Sequence, residues 1–398
     1  MAAKLSLAEV DGDLWSDEVL RNPYPLYAAL RAHGGASYLP ANGLWAFSSY
    51  ANVRWALGHQ EYFTSEQGVA MSDEVNAMYT SGFGTNILHD DGDAHTKLRS
   101  VLAGLLGPRA VRKLTEDIER EANALVGEVV QRDGVDGIRD LAAVLPVSVI
   151  ARLVGLPEGK RMNLLDWADA SFTVFGPMNE RTAAGLPKVQ ALFDYLKVEA
   201  ARENLPPESW GAAIYEAGDR GDISAEGCFS LMLAFAGAGM DTTISAIGSA
   251  LYLFGRDQDQ WRQLREDPSL IPSAFNEVLR LESPVQGFSR VALQEFQVGD
   301  VLVPEGSRVV MLYGSANRDG SKWADPDRFD FRRNPADHLA FGYGLHSCVG
   351  QTLARIEGHA ILKALTEQVS SFTIDDFEWA LNNTSRRLKS LAVSITAS

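Results

Sequence analysis

The sequence predicts a mainly α-helical protein with a minor β region, and three observations carry that prediction. Near the start, residues 37–39 and 44–47 flank Pro40-Ala41-Asn42-Gly43, where Asn-Gly supplies the positive backbone angles that a tight hairpin turn needs. Through most of residues 95–282 apolar residues recur at helical spacing, as with Ile118, Ala122, Leu125 and Val129 after Thr115, with charged residues between them. Beyond Pro284 the texture changes to short runs such as Val301-Leu302-Val303 and Val309-Val310-Met311-Leu312, punctuated by Gly299, Pro304, Gly306 and Gly314, which read as strands and turns. A last helix is expected over 349–369, with Leu353, Ile356, Ala360, Ile361, Ala364 and Leu365 facing inward, followed by a strand-like tail. No repeat, low-complexity tract or linker interrupts the chain, so residues 1–398 are expected to form one domain.

Composition removes several function classes. The 398 residues carry 36 basic against 52 acidic side chains, a net charge of -16, which argues against a nucleic-acid binder whose affinity comes from a basic surface. The longest apolar stretch, 231–240, is about half of the ~20 residues that a bilayer span requires, and Met1-Ala2-Ala3-Lys4 leads into acidic residues rather than an apolar leader. The expectation is a soluble, cytoplasmic protein with no membrane partner. Two cysteines, Cys228 and Cys348, cannot make a disulfide scaffold, and seven histidines leave few zinc ligands.

Cys348 stands out by its context. The loop Phe341-Gly342-Tyr343-Gly344-Leu345-His346-Ser347-Cys348-Val349-Gly350 puts it in a glycine-rich turn directly before a long helix. Glycines let the backbone approach a flat partner, and the N–H groups and positive end of the helix stabilise a thiolate. On composition alone a buried structural cysteine is the commoner reading. Zinc fits poorly, because His346 and Cys348 have no second Cys or His pair spaced to complete a site. Cys228 carries only a structural expectation.

This loop resembles the signature of the cytochrome P450 haem-thiolate monooxygenases: a Phe, two spaced glycines, a basic residue, then Cys and Gly. The resemblance implies the P450 fold, with haem b sandwiched between a distal and a proximal helix, and Cys348 as the axial iron ligand. Thiolate ligation favours O–O cleavage, and backbone N–H groups after Cys348 would temper its electron donation.

Other motifs agree in order and spacing. Glu277 and Arg280 share a helical face at i, i+3, ordinarily a surface ion pair of small worth. With Arg328, in Pro326-Asp327-Arg328-Phe329, they resemble the family's buried Glu-Arg-Arg triad, which is architectural. His95 and Arg99 lie one helical turn apart and can point at one anion. The resemblance makes them haem-propionate contacts, with Arg290 a third and His346 a fourth.

The run from Leu233 to Thr243 is too apolar and rich in small residues for a surface helix. Gly237 and Gly239 loosen it, and Thr242 can bond back to a carbonyl one turn earlier, so a local groove is expected. A buried helix crossing with an incidental polar pair is the plain alternative. Ala238-Gly239-Met240-Asp241-Thr242 resembles the family's acid–alcohol pair, with Asp241 relaying protons and Thr242 holding the hydrogen-bonded network over the distal haem face.

Over nearly the whole chain the sequence is similar to soluble bacterial members that oxidise para-substituted benzoic acids, through the stretches at 172–177, 282–286, 314–319 and 382–384. Transfer by position makes Val69, Met71, Phe172, Phe175, Ala234, Ala238, Val285 and Phe288 candidate substrate contacts, and Thr85 and Gln286 candidate polar partners. Where those relatives carry arginine and serine facing the carboxylate, this chain has Gly82, Leu233, Ala234 and Gly237. The implied activity is monooxygenation of a small aromatic, most directly O-demethylation of a methoxyphenol. A benzoate monooxygenase, a terpenoid or polyketide tailoring hydroxylase and a non-catalytic haem sensor or carrier are the alternatives. The implied partners are O2, the aromatic substrate, and an iron–sulfur ferredoxin with a separate NAD(P)H reductase. Lys97, Arg109, Arg112, Lys113, Arg333 and Arg355 are candidates for the ferredoxin face.

Overall fold

A computed structural model describes residues 9–157 and 161–398; the leader reading on Met1 to Lys4 lies outside them. The hairpin forms as expected, Ala36–Leu39 pairing antiparallel with Leu44–Phe47 and closing at Leu39 opposite Leu44, with Gly43 at φ 65°. It is the edge of a five-stranded sheet whose order continues through Arg308–Leu312, Gly287–Ala292 and Phe63–Thr64. The tail makes a long antiparallel pair, Val369–Trp379 with Leu388–Ala397, extended by Val135–Asp136.

Helices build the rest. Thr115–Val129 buries Ile118, Ala122, Val126 and Val129, so Val126 takes the inward place expected of Leu125. The apolar run becomes two helices, Ala225–Ala238 and Asp241–Arg256, meeting at a break at Gly239 and Met240. Together residues 225–256 are long and apolar enough to cross a membrane, but 72% of the most apolar window is buried inside the protein, as in a core helix. A Cβ on Gly239 would lie 2.6 Å from the Phe235 carbonyl oxygen and 2.9 Å from Ile150, which is why the break carries no side chain.

The last helix spans Gln351–Gln368, and its buried face includes Leu353, Ala360, Ile361, Ala364 and Leu365 as expected, with Ile356 half-buried. The same face also buries Glu357 completely. The main core lies between this helix, the pair 225–256, and the helices Thr115–Val129, Val144–Val154 and Ile271–Leu281.

Candidate active site

The cysteine loop is fixed by backbone geometry. Gly342 and Gly344 have φ of 67° and 73°, and a Cβ on Gly344 would lie 2.3 Å from the Leu57 carbonyl oxygen. The Cys348 N–H donates to the Phe341 carbonyl at 2.8 Å, closing the turn. Burial pushes the Cys348 thiol up. The N–H groups of Gly350 and Gln351 at the helix start and the guanidinium groups of Arg99 and Arg355 pull it back.

A large cavity opens beside Cys348. On the loop side its wall holds His95, Arg99, His346 and Ser347. His95 is completely buried, neither ring nitrogen has a hydrogen-bond partner, and its ring centre lies 4.4 Å from that of His346. Burial, reinforced by His346 and Arg99, lowers the His95 pKa to about 4. Arg99 donates to the Ser347 carbonyl at 2.7 Å and to the Ser347 hydroxyl at 3.2 Å. Buried Arg290 donates to its neighbour's carbonyl, Ser289 O, at 2.7 Å. Neither arginine has an ion pair among the described residues. Half-buried Arg99 and unsatisfied His95 on the cavity wall, with buried Arg290 behind it and outside the lining, make this side suited to carboxylates.

Asp91 is a part of the site that sequence reasoning missed. It precedes the helix Gly92–Leu106 but does not cap it. Its carboxylate instead accepts from His346 Nε2 at 2.7 Å, the Thr64 hydroxyl at 2.8 Å and the Ser65 N–H at 2.8 Å. Burial opposes its charge, yet these three bonds hold its pKa down to about 2. It therefore orients His346. Acid next to a helix start is the only local signal, and caps are far commoner than such bridges.

Above the cavity the apolar run behaves as its composition suggests. Thr242 donates to the Ala238 carbonyl at 3.1 Å and lines the cavity, whereas Asp241 is absent from that lining and is buried. Asp241 Oδ1 lies 3.5 Å from Arg387 Nε, and Arg387 bridges at 2.8 Å to Asp169, which reaches the surface. Burial raises the Asp241 pKa to about 6; Arg387 opposes the rise and Asp169 adds to it. A carboxyl poised near 6 on the outer side of the wall and a hydroxyl on the inner side can pass protons inward. Arg387 and Asp169 escaped the sequence reading because they come from 218 residues apart.

The charge network needs a correction. Glu277 and Arg280 form a fully buried bidentate pair at 2.7 and 2.8 Å, but the third arginine is Arg333, whose Nε donates to Glu277 at 3.1 Å. Arg328 is exposed and contributes only its carbonyl, which accepts from Arg280 at 3.3 Å. Residues 328–333 turn back on themselves, so the later arginine faces inward. Arg333 is therefore unavailable as a free surface cation, and Arg355 is half-buried, its guanidinium 4.5 Å from the Phe341 ring centre. Lys97, Arg109, Arg112 and Lys113 are exposed.

The substrate candidates divide. Phe172, Phe175, Ala234, Ala238, Val285 and Phe288 line the cavity, joined by Tyr79 and Phe193. Tyr79 stacks on Phe175 with ring centres 5.3 Å apart, and Phe288 meets Phe175 edge-on at 5.7 Å. Val69 and Met71 are corrected out of the lining: Val69 packs behind the aromatic wall, and Met71 against the cluster around Leu14 and Tyr27. Thr85 turns its hydroxyl to Asp90, and Gln286 bonds Ser283 O at 2.7 Å and the Tyr27 hydroxyl at 3.1 Å. Neither is a polar partner in the cavity. Two of the stretches that carry the resemblance to benzoate oxidisers are architectural: buried Asn383 bonds Thr173 O and the Thr182 hydroxyl, and Glu282 pairs with Arg318 and Arg386.

Glu357 also lines the cavity, with both oxygens buried and unbonded, and burial raises its pKa to about 8 against partial opposition from Thr243. The folded protein thus holds a proton that the unfolded chain releases above the ordinary glutamate pKa, so stability falls as pH rises from about 5 to 8. Glu357→Gln is expected to flatten this dependence by a few kcal/mol, read as urea midpoints across that range. An unchanged slope would contradict the protonated form.

The Cytochrome P450 family model matches residues 212–376. Cytochrome p450 CYP199A2 of Rhodopseudomonas palustris is 36% identical over 96% of this chain and 93% of its own. The solved cytochrome P450 CYP109Q5 of Chondromyces apiculatus superposes with TM-score 0.84 at 28% identity, covering 99% of this chain and all of that one. Cytochrome P450 CREJ, solved in complex with (4-ethylphenyl) dihydrogen phosphate, gives TM-score 0.86 at 25% identity over 95% of this chain and 98% of that one.

Proposed function

The chain belongs to the cytochrome P450 family and is a haem b monooxygenase, and from that premise we propose that it oxidises a small neutral aromatic, removing the methyl group of a methoxyphenol or related aryl ether. When bound, haem supplies the activation of O2. The residues present fit that group: a thiol on a loop built to approach a flat partner, Arg99 and Arg290 with no ion pair among the described residues, and His95 with neither ring nitrogen bonded, all suited to its two carboxylates. Cys348 would ligate the iron, and those three with His346 would hold the propionates. Asp241, held by Arg387 beside Asp169 near the surface, would supply protons to Thr242 at the cavity wall.

The reaction balances as aryl methyl ether, O2, two electrons and two protons giving phenol, formaldehyde and water. Hydroxylation of the methyl carbon yields a hemiacetal that loses formaldehyde. Redox partners supply the electrons. Exposed Lys97, Arg109, Arg112 and Lys113 would suit an acidic ferredoxin, reduced in turn by a separate NAD(P)H reductase, in the cytoplasm.

The observation that supports a neutral ring is the make-up of the cavity wall away from the cysteine loop. Tyr79, Phe172, Phe175 and Phe288 bury a flat ring, and Leu233, Ala234 and Gly237 offer neither charge nor side-chain donor. A carboxylate buried there without a cation costs several kcal/mol or becomes protonated. Spin-state titration and formaldehyde release with 4-methoxyphenol beside 4-methoxybenzoate test this. The phenol is expected to bind more tightly and turn over faster; the opposite order overturns the reading in favour of a benzoate monooxygenase.

A further inference from the structure

Among the described residues, the cavity wall away from the cysteine loop carries a buried serine hydroxyl with no partner. Ser230, on the helix Ala225–Ala238, is 2% exposed, lines the cavity, and its hydroxyl bonds to nothing, not even to the carbonyl one turn back that serines in helices commonly use. The other serine on this wall, Ser171, already donates to Trp167 O at 2.8 Å. Buried hydroxyls are ordinarily satisfied, and one left open toward a cavity is a place for a ligand's hydrogen bond.

Position sets the length of that ligand. Ser230 and Ala238 are eight residues apart on a regular helix, roughly 12 Å along its axis at 1.5 Å per residue. Ala238 accepts from Thr242 at 3.1 Å, and Leu233, Ala234 and Gly237 line the cavity between Ser230 and Ala238, so the cavity follows this face of the helix. A single ring with two opposed substituents is shorter than that span. Two rings in line fill it.

We propose that Ser230 is a specificity-determining residue that hydrogen-bonds the far end of an elongated, neutral aromatic substrate, a hydroxyl- or carbonyl-headed molecule about two rings long. One hydroxyl can serve a neutral head group in either direction, as donor or acceptor, but is too little for a carboxylate. The identity of the oxidised ether rests on the demethylation reading above; the head-group contact does not.

The test uses the haem-loaded full chain, wild type and Ser230→Ala, titrated by spin-state shift with 4'-methoxybiphenyl-4-ol, with 4-methoxybiphenyl, which lacks the hydroxyl, and with 4-methoxyphenol. Wild type is expected to bind the biphenylol about tenfold more tightly than the biphenyl. Ser230→Ala should erase that gap while leaving the biphenyl and the short phenol within twofold of wild type. The proposal is overturned by a wild-type protein that shows no gap, by a gap that survives Ser230→Ala, or by an equal loss for the short phenol. Formaldehyde is measured in parallel. A gap that depends on Ser230 without formaldehyde release removes the demethylation reading and leaves this one standing, and the reverse pattern does the opposite.

Discussion

Glu277→Ala is expected to cost about 3–5 kcal/mol of folding stability and to leave little protein able to retain haem. Among the described residues the carboxylate is the sole partner ion of Arg280, which has no exposed surface and would remain charged without a counter-ion in the core. Glu277 also accepts from the Asp330 N–H at 3.1 Å and from Arg333, so the change releases the segment that leads toward the cysteine loop. The two arginines separate this account from the simpler motif reading. Arg333→Ala removes the donor to Glu277 and bonds to the carbonyls of Ala324, Asp325 and Arg328, and should lower the urea midpoint clearly. Arg328→Ala trims an exposed side chain and should stay within about 0.5 kcal/mol of wild type. Equal effects of the two would restore Arg328 to the network.

The second large effect concerns protons. Asp241→Asn is expected to lower kcat by about a hundredfold, a typical worth for a positioned acid or base, with substrate affinity nearly unchanged because Asp241 does not line the cavity. An acid with a pKa raised to about 6 donates best while protonated, so wild-type kcat should fall as pH rises through that value, and Asp241→Asn should lose the dependence. Thr242→Ala, at the cavity wall, should leave binding intact and divert NADH-derived electrons to peroxide. Arg387→Ala should raise the Asp241 pKa further by removing the opposing charge, moving the pH profile upward. Full coupling in Thr242→Ala, or an unshifted profile in Arg387→Ala, would contradict the relay.

Much of this was legible in the sequence where the signal is local. The hairpin depends on Asn42-Gly43, the cysteine loop on glycines with positive φ, and the pair Asp241 and Thr242 on consecutive positions of one helix. Contacts assembled from distant segments were not legible. Arg387 and Asp169 meet only in the fold, Asp91 reads as an ordinary helix cap, and Glu357 sits at a position that helical periodicity reserves for apolar residues. Thr85 and Gln286 failed for a related reason: a polar side chain near a cavity also has backbone and side-chain partners close at hand, and both turn to those. Arg328 and Arg333 differ by five positions in an irregular loop, where no periodicity says which side chain points inward.

The axial role of Cys348 is the claim on which the rest depends. Its direct test is the absorbance of the reduced, CO-treated protein for wild type and Cys348→His, the variant keeping a haem-ligating side chain at the same position. The account predicts a red-shifted Soret band in wild type that is gone in Cys348→His, whereas the same band persisting in the variant would contradict it.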